Sequence, residues 1–505
     1  MLQLMPLTPR WIFFTLFLLL PTVLSAQTAK QKHLTLVFAS NMPEIGPANK
    51  GSYPKLASLL EKSRQEDEQN LFVFGGSSLG PSSLSSLDRG SHIIDILNTL
   101  EPDLMSVGKS EFSYFEDELS LRSYEAAFPF VSSNIYDPLT KSNMEGINTN
   151  IIIDKGGLSV GFISILDESV VQEYLLERIS ILEPQALLNQ QIKQLEQQGA
   201  DLIVMLYSQE KDYYQALLDT KKIDFALRIL PTAHDEHSEK PAVLAKRYIL
   251  SDIKTTLVLK LSWPQNSPKE LSIDELNLDL NTYPDHTATA ILIDEYTRRL
   301  NRLLSQPIGT LSQPMNSQKT LIRTAENAFG NFIADALKEA AHAEIAMVNS
   351  GSVRGDKNYQ ANSILTRGDI IRELPYRTHL SVVSIRGAQL WAALEHGVSQ
   401  VEDIKGRFLQ VSGMSFSYSL EQPVGKRVQN VQINGKALKL NQQYKLATSD
   451  YIVKGGDGFT AFNDVQNLEV LSQNTPLVSD IVIRAIQKQQ TITPKLTSRI
   501  VRMEQ

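Results

Sequence analysis

Over the first half of the chain, short and nearly unbroken apolar runs alternate with amphipathic stretches, which restricts the fold more than any other feature. Residues 34–39, 71–74, 104–107, 202–206 and 224–230 read as buried strands. Between them, residues 56–64, 93–100 and 186–198 place apolar side chains at helical spacing. Strands that alternate with helices make layered α/β sheets. Two further segments, 150–165 turning at Gly156-Gly157 and 248–262, read as antiparallel pairs. The pattern predicts an α/β domain with an antiparallel part over residues 30–285.

At 505 residues the chain is too long for one ordinary core. Residues 287–305, set between Pro284 and Pro307, have the apolar spacing of a single helix and read as an inter-domain linker. Residues 306–505 then form a second, α+β unit. Its expected helices cover 326–341 and 389–398, with a strand over 344–348. Residues 428–433, an Asn434-Gly435 turn and 444–448 read as a hairpin.

The first 26 residues have the layout of a cleaved secretory signal: Arg10, an apolar run over 11–20, then small residues at Ser25 and Ala26. That run is short for a bilayer span, which takes about 20 residues. The expectation is therefore an exported, periplasmic protein with no stable membrane anchor. A net charge of −7 with no concentrated basic run argues against nucleic acid as a partner. The absence of cysteine removes thiolate metal sites and thiol nucleophiles.

Four segments in the second half carry chemistry. They are Arg323-Thr324-Ala325-Glu326-Asn327-Ala328-Phe329-Gly330-Asn331, Asn349-Ser350-Gly351-Ser352-Val353-Arg354, Leu374-Pro375-Tyr376, and Tyr451 through Gly455-Gly456-Asp457-Gly458-Phe459. Each alone fits a turn or a core contact. In this order and spacing they resemble the C-terminal domain of the 5′-nucleotidases. The resemblance implies a metallophosphatase-like N-terminal domain, a linker helix and a nucleotide-binding C-terminal domain. It also implies roles for six residues. Tyr376 and Tyr451 would clamp the base, an interaction worth about 1–3 kcal/mol per stacked base. Asp457 would hold the ribose hydroxyls and Asn349 would reach the base edge. Arg323 and Arg354 would lie at the phosphate end, where forked, charge-assisted bonds are strong.

The same resemblance breaks in the first half. Family members open with Asp-x-His, where this chain has Asn41-Met42-Pro43. Their Gly-Asp is Gly75-Gly76 here, and their Gly-Asn-His-Glu-x-Asp is Gly108-Lys109-Ser110-Glu111-Phe112-Ser113. A strand ending in His becomes Leu206-Tyr207-Ser208, and Gly-His-x-His becomes Ile229-Leu230-Pro231-Thr232. Two-metal hydrolysis needs Asp, Asn and His ligands that hold the ions about 3.5–4 Å apart. The expectation is no catalytic residue, no metal ligand and no resident cofactor. The nearby His234 and His237 read first as a solvated loop and second as replacement ligands. The serines between Ser77 and Ser86, with His92, do not read as a nucleophile and its base.

Three functions follow. The first is a protein that binds a nucleotide or nucleoside and has lost metal-dependent hydrolysis. The second is an active phosphoesterase with a rebuilt metal site. The third is an interaction module, with Leu79, Leu84 and Leu87 as the surface to inspect.

Overall fold

The computed structural model describes residues 31–45, 52–82, 84–229, 247–249, 255–265, 267–268, 270–467 and 475–503. The expected signal segment and the stretch holding His234 and His237 lie outside these residues.

The first half is built from two sheets packed face to face. The larger has seven strands in the order Ser272–Asp279, Thr255–Pro264, Gln31–Ala39, Asn70–Phe74, Leu104–Ser106, Phe130–Val131 and Ile147–Asn148. The smaller runs Arg247–Ile249, Phe225–Arg228, Leu202–Tyr207, Leu158–Ile165 and Ile151–Lys155. Period-2 alternation sends Leu34, Leu36 and Phe38 of the first strand into the space between the sheets, where they meet Phe162, Val204 and Leu227. Val37 and Ala39 point the other way, into a core shared with Leu56, Leu60, Ile93 and Leu97 of the covering helices. On the far side of the smaller sheet, Ile163, Ile203 and Met205 pack on Leu188, Ile192 and Leu195. The layers are therefore helix, sheet, sheet, helix. Strands buried on both faces must be apolar at nearly every position, which is why the runs in the sequence are unbroken.

Residues 151–165 form the antiparallel pair expected of them, with Asp154 opposite Ser159 across the Gly156-Gly157 turn. Residues 248–262 do not pair with each other. Arg247–Ile249 extends the smaller sheet parallel to Phe225–Arg228, while Thr255–Pro264 crosses to the larger one, antiparallel to Gln31–Ala39. The reason is burial: Leu257, Leu259, Leu261 and Trp263 all fill the inter-sheet core. A two-stranded hairpin would leave that row in water.

The helix Thr287–Leu304 packs on Tyr53–Glu66 and Ser91–Leu100 at one end and on Arg367–Glu373 at the other. Beyond it a five-stranded sheet runs Leu409–Ser412, Ile345–Asn349, Gln443–Ser449, Leu380–Arg386 and Gln466–Asn467. The helix Ala328–Ala340 covers it, and Asn327 caps that helix by accepting from Phe329 N at 2.9 Å and Gly330 N at 3.1 Å. The 428–448 hairpin is corrected in its second arm. Asn434 and Gly435 both have positive φ, as a tight hairpin turn requires, but the returning strand is only Lys436–Ala437. Gln443–Ser449 leaves for the five-stranded sheet, where Leu446 and Ala447 are fully buried. Among the described residues no helix is long and apolar enough to cross a membrane.

Candidate functional site

Ile345–Asn349 and Gln443–Ser449 are parallel neighbours, so their carboxyl ends share one edge of the sheet. Open α/β sheets bind ligands at such an edge. Asn349 is the last residue of the first strand, and Tyr451 lies in the helical turn just after the second. The Gly455–Gly458 turn brings Asp457 back to both. Asp457 adopts φ 54°, flanked by Gly455 at 87° and Gly458 at 84°, a left-handed path that glycine makes accessible. Asn349 Nδ2 donates to Asp457 Oδ2 at 2.7 Å, and Tyr451 Oη donates to Oδ1 at 3.1 Å. Asp457 N in turn donates to Tyr451 Oη at 3.1 Å. The hydroxyl that distinguishes tyrosine from phenylalanine therefore fixes the carboxylate. Gly456 makes room for the Tyr451 ring, since a Cβ there would fall 2.5 Å from Cε1.

Arg323 caps the turn Lys319–Ile322 and is 7% exposed. Its Nη1 donates to Ile404 O at 3.4 Å, and its buried Nε has no partner. Burial first, and Arg354 second, lower the Arg323 guanidinium to about 10. Arg354 lies over the Tyr376 ring, 5.1 Å from its centroid, and its Nε is likewise buried and unpartnered. Among the described residues neither guanidinium is ion-paired with a carboxylate, so by charge and hydrogen-bonding capacity the two can receive an anion. Asn349 Oδ1 is a third buried atom without a partner. All six residues singled out in the sequence thus fall in one cluster. Tyr376 stands near both Arg323 and Tyr451, and burial followed by Asp457 pushes the Tyr451 hydroxyl far above its ordinary value.

Two supports of the cluster have no signature in the sequence. His396, at the end of the helix Gly387–Gly397, bonds through Nε2 to Asp457 O at 2.8 Å and meets Phe459 edge-on at 4.8 Å. Gly406 lies so close to Gly351 that a Cβ on it would be 2.9 Å from Gly351 Cα. Neither sits in a recognisable motif; both act across the fold.

The strand ends of the first half present a different set. Asn41 and Met42 follow the first strand, with Asn41 N donating to Gly76 O at 2.9 Å and Met42 N to Ser78 Oγ at 2.8 Å. Glu111 accepts four backbone N–H bonds, from Gly108 at 2.7 Å, Ser77 at 2.8 Å, Ser78 at 2.7 Å and Leu79 at 3.2 Å. Lys109 ion-pairs with Asp167 and Glu173, both at 2.9 Å. Burial pushes the Asp167 carboxyl up, but Lys109 and the Ser169 amide outweigh it and hold it below its ordinary value. The hydroxyls of Ser40, Ser110 and Ser208 are buried without partners. Among the described residues a pair of dications fits poorly: the carboxylates of Glu111, Asp167 and Glu173 are engaged by backbone amides and by the Lys109 ammonium, and the other donors are hydroxyls and one amide. Among the described residues, no three His, Asp or Glu side chains are grouped to hold a metal.

His92 is fully buried, with Nδ1 2.9 Å from both Asp88 carboxylate oxygens and Nε2 unpartnered. Ser82, Ser85 and Tyr114 bond among themselves instead. The surface expected at Leu79, Leu84 and Leu87 is also corrected, because Leu79 and Leu84 are buried and only Leu87 is exposed.

These observations define a two-domain α/β protein with a layered metallophosphatase-like first half and, in the second, a sheet edge that gathers the six residues. Residues 307–464 match the family model "5′-nucleotidase, C-terminal domain". A stretch of 211 residues is 31% identical to a trifunctional nucleotide phosphoesterase protein of Bacillus subtilis, covering 39% of this chain and 14% of that protein. The human 5′-nucleotidase is 22% identical, over 89% of this chain and 85% of its own. The solved 5′-nucleotidase precursor of Thermus thermophilus shares the fold, with a TM-score of 0.71 at 21% identity, covering 94% of this chain and 100% of that one. The second half therefore carries the 5′-nucleotidase C-terminal domain, and the chain as a whole is similar to 5′-nucleotidases in sequence and fold.

Proposed function

We propose that this chain is an exported, periplasmic 5′-nucleotidase-like protein. In this reading it binds a nucleotide through residues 306–505 and does not hydrolyse it with a metal pair. One contrast carries the reading. The second half keeps two neighbouring guanidiniums, each with a buried Nε that has no partner, beside an aromatic and carboxylate cluster. In the first half, the ammonium of Lys109 sits in an ion pair where the family has a metal ligand.

The base would stack between Tyr376 and Tyr451, and Asp457 would accept from the ribose hydroxyls. A carboxylate has about four lone-pair sites, so the bonds from Asn349 and Tyr451 leave it capacity for a diol. Asn349 Oδ1 is free to accept from an exocyclic amine. A phosphate would satisfy the Nε atoms of Arg323 and Arg354, which favours a nucleotide over a nucleoside. The metal pair of the family would supply Lewis-acid activation of a phosphoryl group. No residue at these strand ends supports that role.

Calorimetric titration of the full chain with AMP tests the binding half. Asp457→Ala and Tyr451→Ala are each expected to weaken affinity at least about tenfold, from lost charged hydrogen bonds and lost stacking. Wild-type affinity in both variants would sink the assignment.

A further inference from the structure

One buried carboxylate of the second half has no part in the cluster described above. Glu373 ends the helix Arg367–Glu373 and is 0% exposed. Its Oε1 accepts from Tyr359 Oη at 2.7 Å and from Ser317 Oγ at 2.9 Å, and its Oε2 from Gly355 N at 3.1 Å. Its main-chain O accepts from Arg354 N at 2.8 Å. Three residues further along the chain is Tyr376, whose ring faces the Arg354 guanidinium at 5.1 Å.

We propose that Glu373 is the positioning residue for Arg354. It fixes the backbone at 354–355 relative to Tyr376, so that the guanidinium is held over the ring and set for an anion before a ligand arrives. This rests on the nucleotide-binding reading above and deepens it, by assigning to the phosphate end a side chain that itself touches no ligand.

Three observations carry the proposal. The two amides that flank the Arg354 Cα, its own and that of Gly355, both end on Glu373, one on the main chain and one on the carboxylate. Gly355 makes this approach possible, since a Cβ there would fall 2.1 Å from Glu373 Oε1. Finally, among the described residues Glu373 forms no ion pair, so it holds the turn without neutralising the guanidinium that the turn presents. Burial pushes the Glu373 carboxyl up, and the bonds from Tyr359, Ser317 and Gly355 pull it back toward the ionised form. A buried carboxylate without a counter-ion costs more stability than a well-packed apolar side chain of similar size. Filling space would not call for one; gathering amides from a turn does.

The test compares AMP and adenosine, by calorimetry, on the full chain and on Glu373→Ala, Gly355→Ala and Glu373→Gln, with a denaturant midpoint for each. Glu373→Ala removes the anchor. Gly355→Ala drives the turn off it from the other side, so if the first variant fails to fold the second decides. The expected result is AMP affinity weaker by about tenfold in both, with adenosine within about threefold of the unaltered chain. Glu373→Gln should restore AMP affinity to within about threefold, because its carbonyl can accept from the Gly355 amide while the Ser317 and Tyr359 hydroxyls turn to accept from its amide. Lowered midpoints with AMP affinity unchanged in Gly355→Ala and in folded Glu373→Ala overturn the proposal. An equal loss for AMP and adenosine overturns it too, since Glu373 would then support the whole site rather than the arginine. If the unaltered chain binds neither ligand, the nucleotide-binding reading fails first and takes this inference with it.

Discussion

Burial strips water from the Arg323 guanidinium, and Arg354 beside it raises the cost of its charge, so its proton is held less tightly than in free arginine. The charged form is the one that binds an anion. AMP affinity should therefore stay level from pH 7 to 9 and fall as the pH passes about 10, the value to which Arg323 is lowered. Adenosine, which brings no anion, should not follow. Calorimetry of both ligands across that range checks this, and a parallel fall would mean that the site itself unravels in alkali. At this scale the sequence was informative where function is written as local tokens. Arg323, Arg354, Tyr376, Tyr451 and Asp457 each sit in a short run that can be matched by eye. His396 carries no token. It reaches the cluster from a helix end whose placement depends on packing across distant parts of the chain.

Among the elements, the turn from Gly76 to Leu79 depends on one side chain. Its amides at Ser77, Ser78 and Leu79, with that of Gly108, all point at the Glu111 carboxylate. Burial raises the pKa of Glu111, and the four N–H donors pull it back toward the ionised form. Removing it leaves four donors buried with no acceptor, each worth about 1–3 kcal/mol. Glu111→Ala should thus destabilise the chain by about 3 kcal/mol or more in denaturant unfolding, and Glu111→Gln by clearly less. An unchanged midpoint in Glu111→Ala would show that the loop rests on something else. Strand positions were legible because double burial forces apolar runs, and the helices because their spacing is amphipathic. Pairing was not. Thr255–Pro264 and Gln443–Ser449 look like hairpin arms in sequence, yet each is drawn into a sheet by partners far away in the chain. Local pattern fixes which residues must be buried, not which neighbour buries them.

For the whole molecule, the two halves present different chemistry at their strand ends. One keeps its cluster of aromatic, carboxylate and guanidinium groups. In the other, the strand ends hold serines and an ammonium engaged by two carboxylates. The linker helix Thr287–Leu304 and the contacts from Lys454 and Arg377 bring these ends face to face. The most direct test is phosphate release from AMP by the chain starting at Gln27, with manganese or zinc added and an EDTA control, in protein shown by calorimetry to bind AMP. The account predicts no release above background under either condition. Metal-dependent release abolished by EDTA would contradict it.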